Sequence, residues 1–321
     1  MNSTVQRLLA PYKGILAADE STKTIEKRLM AYGLQSTEEI KQAYRKMLFT
    51  TPDIEKYISG IILYKDSLDF IPLLNQKGIT AGIKVDEGLE SFNGTEEEVT
   101  KGLEGLSARL DKYINLGVRF TKWRAVIKIS NIYPSDTFLE ENLGRMSKYA
   151  KMVQEKEITP IVEPEVLLDG NHTTARCEET MTKTLKKLFE LLIKENVDLD
   201  NLLLKSSMVL PGKDSGVEAL PLEVANATLR TFRNSVPNKL RGIVFLSGGQ
   251  TSDQAINNLN EIVKLNIGNK FGPWDISFSY SRALQNDALA IWIGKIENVT
   301  NAQEVFGKRL QMVSKARMGE L

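Results

Sequence analysis

Eight short apolar runs, each bounded by turn residues and followed by a longer stretch with helical spacing, recur along the 321 residues. They cover residues 14–18, 58–64, 80–85, 118–129, 159–166, 201–208, 242–246 and 276–280. Runs of this length that are apolar throughout suit strands buried on both faces, the signature of a parallel sheet covered by helices. Strand then helix, repeated about eight times, predicts an α/β fold built as a (β/α)8 TIM barrel, which needs about 250 residues plus insertions. No linker rich in Gly, Pro or Ser interrupts the alternation, so residues 1–321 are expected to form a single barrel domain.

Several intervening helices announce their ends. Ser21 is placed to cap a helix that stops near Gly33, and Ser36-Thr37-Glu38-Glu39 reads as a capping box opening the next. After the fifth run, Met181, Leu185, Leu188, Phe189, Leu192 and Ile193 fall on one stripe of a helix that covers the barrel. Glu96-Glu97-Glu98 reads as the solvated first turn of another helix. Residues 299–318 read as a basic amphipathic helix packed after the eighth strand.

Composition removes several kinds of function. A formal net charge of +1 gives no basic excess for a nucleic acid or an anionic membrane surface. Cys177 is the only cysteine and His172 the only histidine, so an internal disulfide is impossible and the usual Cys/His zinc sets cannot be assembled. No metal and no cofactor is expected. A Ser-His-Asp mechanism would rest on His172 alone, which lies in the turn-like stretch Asp169-Gly170-Asn171-His172 and reads as a solvated loop residue. Residues 1–13 lack the pattern of a signal peptide and no apolar run reaches membrane-spanning length, so a cytoplasmic protein is expected.

The charged residues then become informative, because catalytic groups in such barrels lie at the C-terminal ends of the strands. Asp19-Glu20-Ser21, Lys84-Val85-Asp86, Lys205, Ser247-Gly248-Gly249 and Ser281-Arg282 all stand there. In the fourth run Lys122, Arg124, Val126 and Lys128 alternate and share one face, while Trp123, Ala125 and Ile127 share the other. In the fifth, Glu163 and Glu165 flank Pro164 on one face. Exposed edge charges would explain either strand alone, but a closed barrel has no edge, so the interior is predicted to hold a paired network of Lys122, Lys205, Glu163 and Asp19.

Within Leu202-Leu203-Leu204-Lys205 three leucines deliver an ammonium to the end of a buried strand. One reading is a lysine snorkelling to water. The other is a nucleophile, made so by desolvation and by a second lysine nearby, both of which disfavour the charged form. A free amine attacks a ketone to form a Schiff base, whose protonated form drains electrons from the adjacent carbon while carboxylates move protons. The Ser247-Gly248-Gly249 backbone, Arg282 and Lys84 offer seats for phosphate, so the predicted substrate is a phosphorylated keto sugar.

Seven motifs in order, residues 14–21, 82–86, 122–124, 161–165, 203–205, 246–250 and 278–280 with Arg282, resemble those of class I fructose-bisphosphate aldolases over nearly the whole chain. The resemblance implies a metal-independent, usually tetrameric enzyme that cleaves fructose 1,6-bisphosphate to dihydroxyacetone phosphate and glyceraldehyde 3-phosphate, and runs in reverse. It implies Lys205 as the Schiff-base lysine, Glu163 as general acid and base, and Glu165 as its electrostatic neighbour. Asp19 would take part in proton transfer and Lys122 would stabilise developing charge. Ser247, Gly248, Ser281 and Arg282 would bind one phosphate; Lys84, Arg124 and Ser21, with Lys27 and Arg28, would serve the other end of the sugar.

Three departures from the family carry expectations of their own. Ser281 stands where the family commonly has Gly, which is expected to alter local dihedrals and weaken phosphate binding. Ser206-Ser207 replaces Pro-Asn after the lysine and is expected to loosen the backbone. A C-terminal tyrosine that assists a proton step in many relatives has no counterpart in the sequence, so a slow late proton exchange, or another group in that role, is expected. The alternatives are another Schiff-base barrel, a transaldolase or sedoheptulose-bisphosphate aldolase, and a non-catalytic scaffold barrel. Basic groups at both ends of the site favour the bisphosphate substrate.

Overall fold

The computed structural model describes residues 3–321, so the first two residues of the 1–13 stretch lie outside it. Among the described residues there are ten strands: β1 (Gly14–Ala17), β2 (Ile58–Leu63), β3 (Thr80–Lys84), β4 (Leu89–Ser91), β5 (Glu98–Thr100), β6 (Phe120–Ile127), β7 (Thr159–Val166), β8 (Leu203–Ser206), β9 (Gly242–Phe245) and β10 (Asp275–Tyr280). All but β4 and β5 close into a parallel barrel in the order β1-β10-β9-β8-β7-β6-β3-β2. Each of the eight predicted runs contains or overlaps one barrel strand.

The helices are α1 (Thr4–Leu8), α2 (Thr22–Met30), α3 (Glu38–Phe49), α4 (Ile71–Gln76), α5 (Leu106–Asn115), α6 (Asp136–Gln154), α7 (Thr174–Lys194), α8 (Pro221–Ser235), α9 (Ser252–Leu265), α10 (Arg282–Trp292) and α11 (Val299–Met318). The predicted C-terminal helix matches α11 at both ends. Four local readings need correction. Thr37, not Ser36, caps α3, accepting from the Ile40 N–H at 3.3 Å, and no reciprocal glutamate completes a box. Ser21 occupies the N-cap of α2 without a side-chain cap bond. Ile193 points to solvent, while the other five stripe residues of α7 are buried.

Glu96-Glu97-Glu98 opens no helix. Asn93 and Gly94 both take positive φ, 51° and 70°, and turn the chain into the antiparallel hairpin β4–β5. Glu97 is buried and accepts from the Ser135 N–H and hydroxyl at 2.8 and 2.6 Å, while Glu96 pairs with Lys128. The Asn-Gly pair was the available signal for this turn.

Strand alternation sorts the side chains. Trp123, Ala125, Ile127, Val162 and Leu204 join the large core under the helices. Phe120, Ile161 and Leu203 point inward with Ile15, Ala17, Ile62 and Val244, and Val5, Leu8 and Leu9 at α1 plug this layer. The plug is fastened: Ser59 donates to the Leu8 carbonyl at 2.6 Å, and the buried Arg317 donates to the Leu9 carbonyl at 2.6 Å. Two residues further along each strand, Phe120 gives way to Lys122, Ile161 to Glu163 and Leu203 to Lys205. The barrel therefore has an apolar floor and a charged upper layer.

The floor leaves no room at its glycines. A Cβ on Gly82 would lie 2.2 Å from the Phe120 ring, and one on Gly60 would lie 2.4 Å from Leu8. Gly82→Ala is expected to destabilise the protein by about 1–3 kcal/mol through overpacking. Phe120→Leu should recover part of that loss in the double variant, as read by urea unfolding; a strictly additive pair would refute the clash.

Candidate active site

The upper layer of the barrel opens into a cavity of about 1120 Å³ lined by residues from β1, β3, β6, β7, β8 and β10 and from the loops beyond the strands, the loop after β9 included. All fourteen candidate residues of the sequence reading line it: Asp19, Ser21, Lys27, Arg28, Lys84, Lys122, Arg124, Glu163, Glu165, Lys205, Ser247, Gly248, Ser281 and Arg282. They meet there because each strand contributes its C-terminal end to one rim, with Lys84 in register with Lys122 and Arg124 with Glu163.

At the centre Glu163 bridges two lysines. Its Oε1 lies 3.0 Å from the Lys205 Nζ and its Oε2 lies 3.0 Å from the Lys122 Nζ. Lys122 also meets the Asp19 Oδ2 at 2.6 Å. All four side chains are 10% exposed or less, so solvent screens them little. Burial alone would raise the Asp19 and Glu163 pKa values, but the ammoniums of Lys122 and Lys205 outweigh it and hold both carboxyls below their ordinary range. Burial would lower the pKa of Lys122, yet Asp19 and Glu163 outweigh it and raise it above the ordinary lysine value. The two lysines thus stand on either side of a shared carboxylate that screens their mutual repulsion.

A second tier surrounds this core. Lys84 pairs with Asp86 at 2.5 Å, and Arg124 pairs with Glu165. Gly248 brings its backbone close to Glu165, where a Cβ would lie 2.9 Å from Oε1. Ser247 is buried, whereas Lys27 and Arg282 are exposed on the cavity wall. Arg28 is bound up in the protein: it pairs with Glu20 and donates to Gln285 Oε1 at 2.9 Å. Glu20 and Asp86 were not among the candidate residues, and only their places beside Asp19 and after Lys84 hinted at a role.

One departure in sequence behaves differently from expectation. Ser206 donates to the Ser207 carbonyl at 2.9 Å, and Ser207 donates to the Val166 carbonyl at 3.0 Å, lacing the end of β8 to β7. The two serines tie this backbone instead of loosening it. Ser281 has φ −107° and ψ −88°, outside both the helical and the extended regions. Its hydroxyl donates to Glu20 Oε1 at 2.7 Å.

His172 also departs from its reading. It is buried rather than solvated, neither ring nitrogen has a hydrogen-bond partner, and burial followed by the nearby Arg176 charge lowers its pKa. Cys177 is buried in α7, and burial pushes its thiol up to about 11.

The family model described as "Fructose-bisphosphate aldolase class-I" matches residues 1–321. A probable fructose-bisphosphate aldolase class 1 of Xanthomonas campestris is 44% identical, with 99% of this chain and 97% of that protein covered. Cytosolic fructose-bisphosphate aldolase 4 of Arabidopsis thaliana is 43% identical over 96% of this chain and 80% of its own length. Among solved structures, the fructose-bisphosphate aldolase of Plasmodium falciparum, in ternary complex with TRAP and a small-molecule inhibitor, superposes with a TM-score of 0.95. It is 41% identical, with 99% of this chain and 93% of that chain covered.

The ion-pair core sets an expectation for stability. Because the Asp19 and Glu163 pKa values are lowered, their contribution is complete above about pH 4.3 and is lost as pH falls through the lowered values. The contribution of Lys122, whose pKa is raised, is complete below about pH 10.4 and is lost as pH rises through the raised value. Lys122→Met should cost about 2 kcal/mol at pH 7, less than the roughly 3–5 kcal/mol of a sealed pair because the cavity admits water. It should also move the acid transition to higher pH. Urea titrations at pH 4 and pH 7 measure both effects, and an unchanged acid limb would contradict the assigned pairing.

Proposed function

The chain belongs to the class-I fructose-bisphosphate aldolase family, a metal-independent lyase family, and we propose that it performs the reversible cleavage of fructose 1,6-bisphosphate with Lys205 as the covalent nucleophile. The observation that carries this assignment is the Lys205–Glu163–Lys122–Asp19 chain of contacts, 3.0, 3.0 and 2.6 Å long, at the cavity floor. A base within about 2.6–3.2 Å of the proton it takes is in working range. Glu163 stands at that distance from the Lys205 nitrogen.

The steps follow from this arrangement. Glu163 takes a proton from the Lys205 nitrogen, the free amine adds to the C2 ketone to give a carbinolamine, and Glu163 returns that proton to the carbinolamine hydroxyl so that water leaves and the protonated imine forms. Asp19 accepts the C4 hydroxyl proton as the C3–C4 bond breaks, releasing glyceraldehyde 3-phosphate. The electron pair moves into the enamine, which is reprotonated at C3 and hydrolysed to dihydroxyacetone phosphate and free Lys205. Lys122 stabilises negative charge on the reacting oxygens while holding both carboxylates in place.

The two ends of the sugar have different seats. Once C2 is bound to β8, the C1 phosphate falls toward neighbouring β9 and β10, where Ser247, the Gly248 backbone and Arg282 line the cavity. The far phosphate extends toward β3 and β6, where Lys84 and Arg124 stand already paired with Asp86 and Glu165. Lys27 and Ser21 complete that side, while Arg28, paired with Glu20 and donating to Gln285, lies toward α10. The protein acts as one barrel domain, assembles as a tetramer and works in the cytoplasm; family membership supports all three. No helix among the described residues is long and apolar enough to cross a membrane.

Borohydride added with fructose 1,6-bisphosphate should tether a substrate-derived adduct to Lys205, found by peptide mass spectrometry, with activity unaffected by chelator. An adduct elsewhere, or cleavage surviving in Lys205→Ala, would sink the assignment. Arg282→Ala should raise KM for both fructose 1,6-bisphosphate and fructose 1-phosphate by about tenfold, the worth of one charge-assisted hydrogen bond. Lys84→Ala should raise KM only for the bisphosphate.

A further inference from the structure

The cavity must take a doubly phosphorylated substrate, yet Glu20 places a carboxylate on its wall beside the candidate phosphate seat. An uncommitted anion there would repel phosphate and compete for Arg282. Two groups hold Glu20 Oε1: the guanidinium of Arg28 and the hydroxyl of Ser281, which donates at 2.7 Å. Ser281 is the residue immediately before Arg282 and occupies the N-cap of α10, but its hydroxyl caps no helix N–H.

The hydroxyl is itself aimed by a buried hub. Gln285, wholly buried, donates from Nε2 to Ser281 Oγ at 3.3 Å and to the Ala17 carbonyl at 2.7 Å. Its Oε1 accepts from Arg28 at 2.9 Å and from the Tyr44 hydroxyl at 3.1 Å. Every polar atom of Gln285 therefore has a partner, and the amide orientation is fixed by donors on one side and acceptors on the other. Because Gln285 accepts from Arg28 and donates to Ser281, it orients both groups that restrain Glu20.

We infer that Ser281 is a positioning residue for the phosphate seat: its hydroxyl, aimed by Gln285, pins the Glu20 carboxylate onto Arg28 and keeps that charge away from Arg282 and the incoming phosphate. This goes beyond the direct phosphate contact expected of position 281 and rests on the reading of Arg282 as a phosphate ligand. A hydroxyl donating to a carboxylate is a charge-assisted bond, so its loss should be visible in substrate binding.

Ser281→Ala should raise KM for fructose 1,6-bisphosphate and Ki for inorganic phosphate together, by roughly fivefold, with kcat within about twofold of wild type. Ser281→Thr, which keeps the hydroxyl, should restore most of the loss. The decisive comparison is a double-variant cycle with Glu20→Gln, which removes the charge to be restrained. In that background Ser281→Ala should change neither KM nor Ki, because there is no longer an anion to swing free. The inference is overturned if Ser281→Ala leaves KM and Ki unaltered, or if it raises them by the same factor in the Glu20→Gln background. Thermal melts of each variant separate a packing defect, which would lower Tm without the cycle's coupling. Arg282→Ala isolates the underlying reading: if that variant binds phosphate as wild type does, the seat is misplaced; if it loses binding while Ser281→Ala does not, only the role of Ser281 fails.

Discussion

One carboxylate between two lysines organises the upper half of this barrel. Without Glu163, Lys122 and Lys205 would face one another in a poorly solvated interior with only Asp19 to offset them. With it, two positive and two negative side chains balance within a few ångströms, and the cost of taking each from water is offset by its neighbours. The balance is also chemically ready. A carboxylate in contact with an amine can exchange a proton with it, so the group that stabilises the resting site is also the one we propose to move protons during reaction.

That arrangement depends on the floor beneath it. The apolar layer of Phe120, Ile161 and Leu203, sealed by α1, closes one end of the barrel and leaves solvent access only from the rim. The close fit of Leu8 against Gly60 and of Leu9 against Gly242 fixes how far the plug descends. The lysines therefore rise from a packed base, and their long side chains have little space in which to choose other rotamers.

Much of this was legible in the sequence. Strands covered on both faces must be apolar throughout, so all eight barrel strands stood out as runs, and charged residues inside those runs marked the site because a closed barrel offers them no edge. Lys122, Glu163 and Lys205 were identifiable for that reason. The missed features depend on contacts between distant segments. Glu20 meets Ser281 across 261 positions, and Glu97 finds Ser135 across 38, neither of which any local pattern announces. His172 looked like a loop residue from its Gly and Asn neighbours, but burial is decided by what folds over a loop. The hairpin at Asn93-Gly94 was readable from turn chemistry and was outweighed by the glutamates that follow it.

The two-residue alternation from floor to charged layer gives the strands a reading frame. One residue inserted within β8 ahead of Lys205 would turn its amine out among the helices, a frameshift of the site with no change in composition. Two inserted residues would keep the amine inside and lift it one storey, out of reach of Glu163. Length can vary freely only outside the strands, so the core chemistry is fixed by counting as much as by side-chain identity.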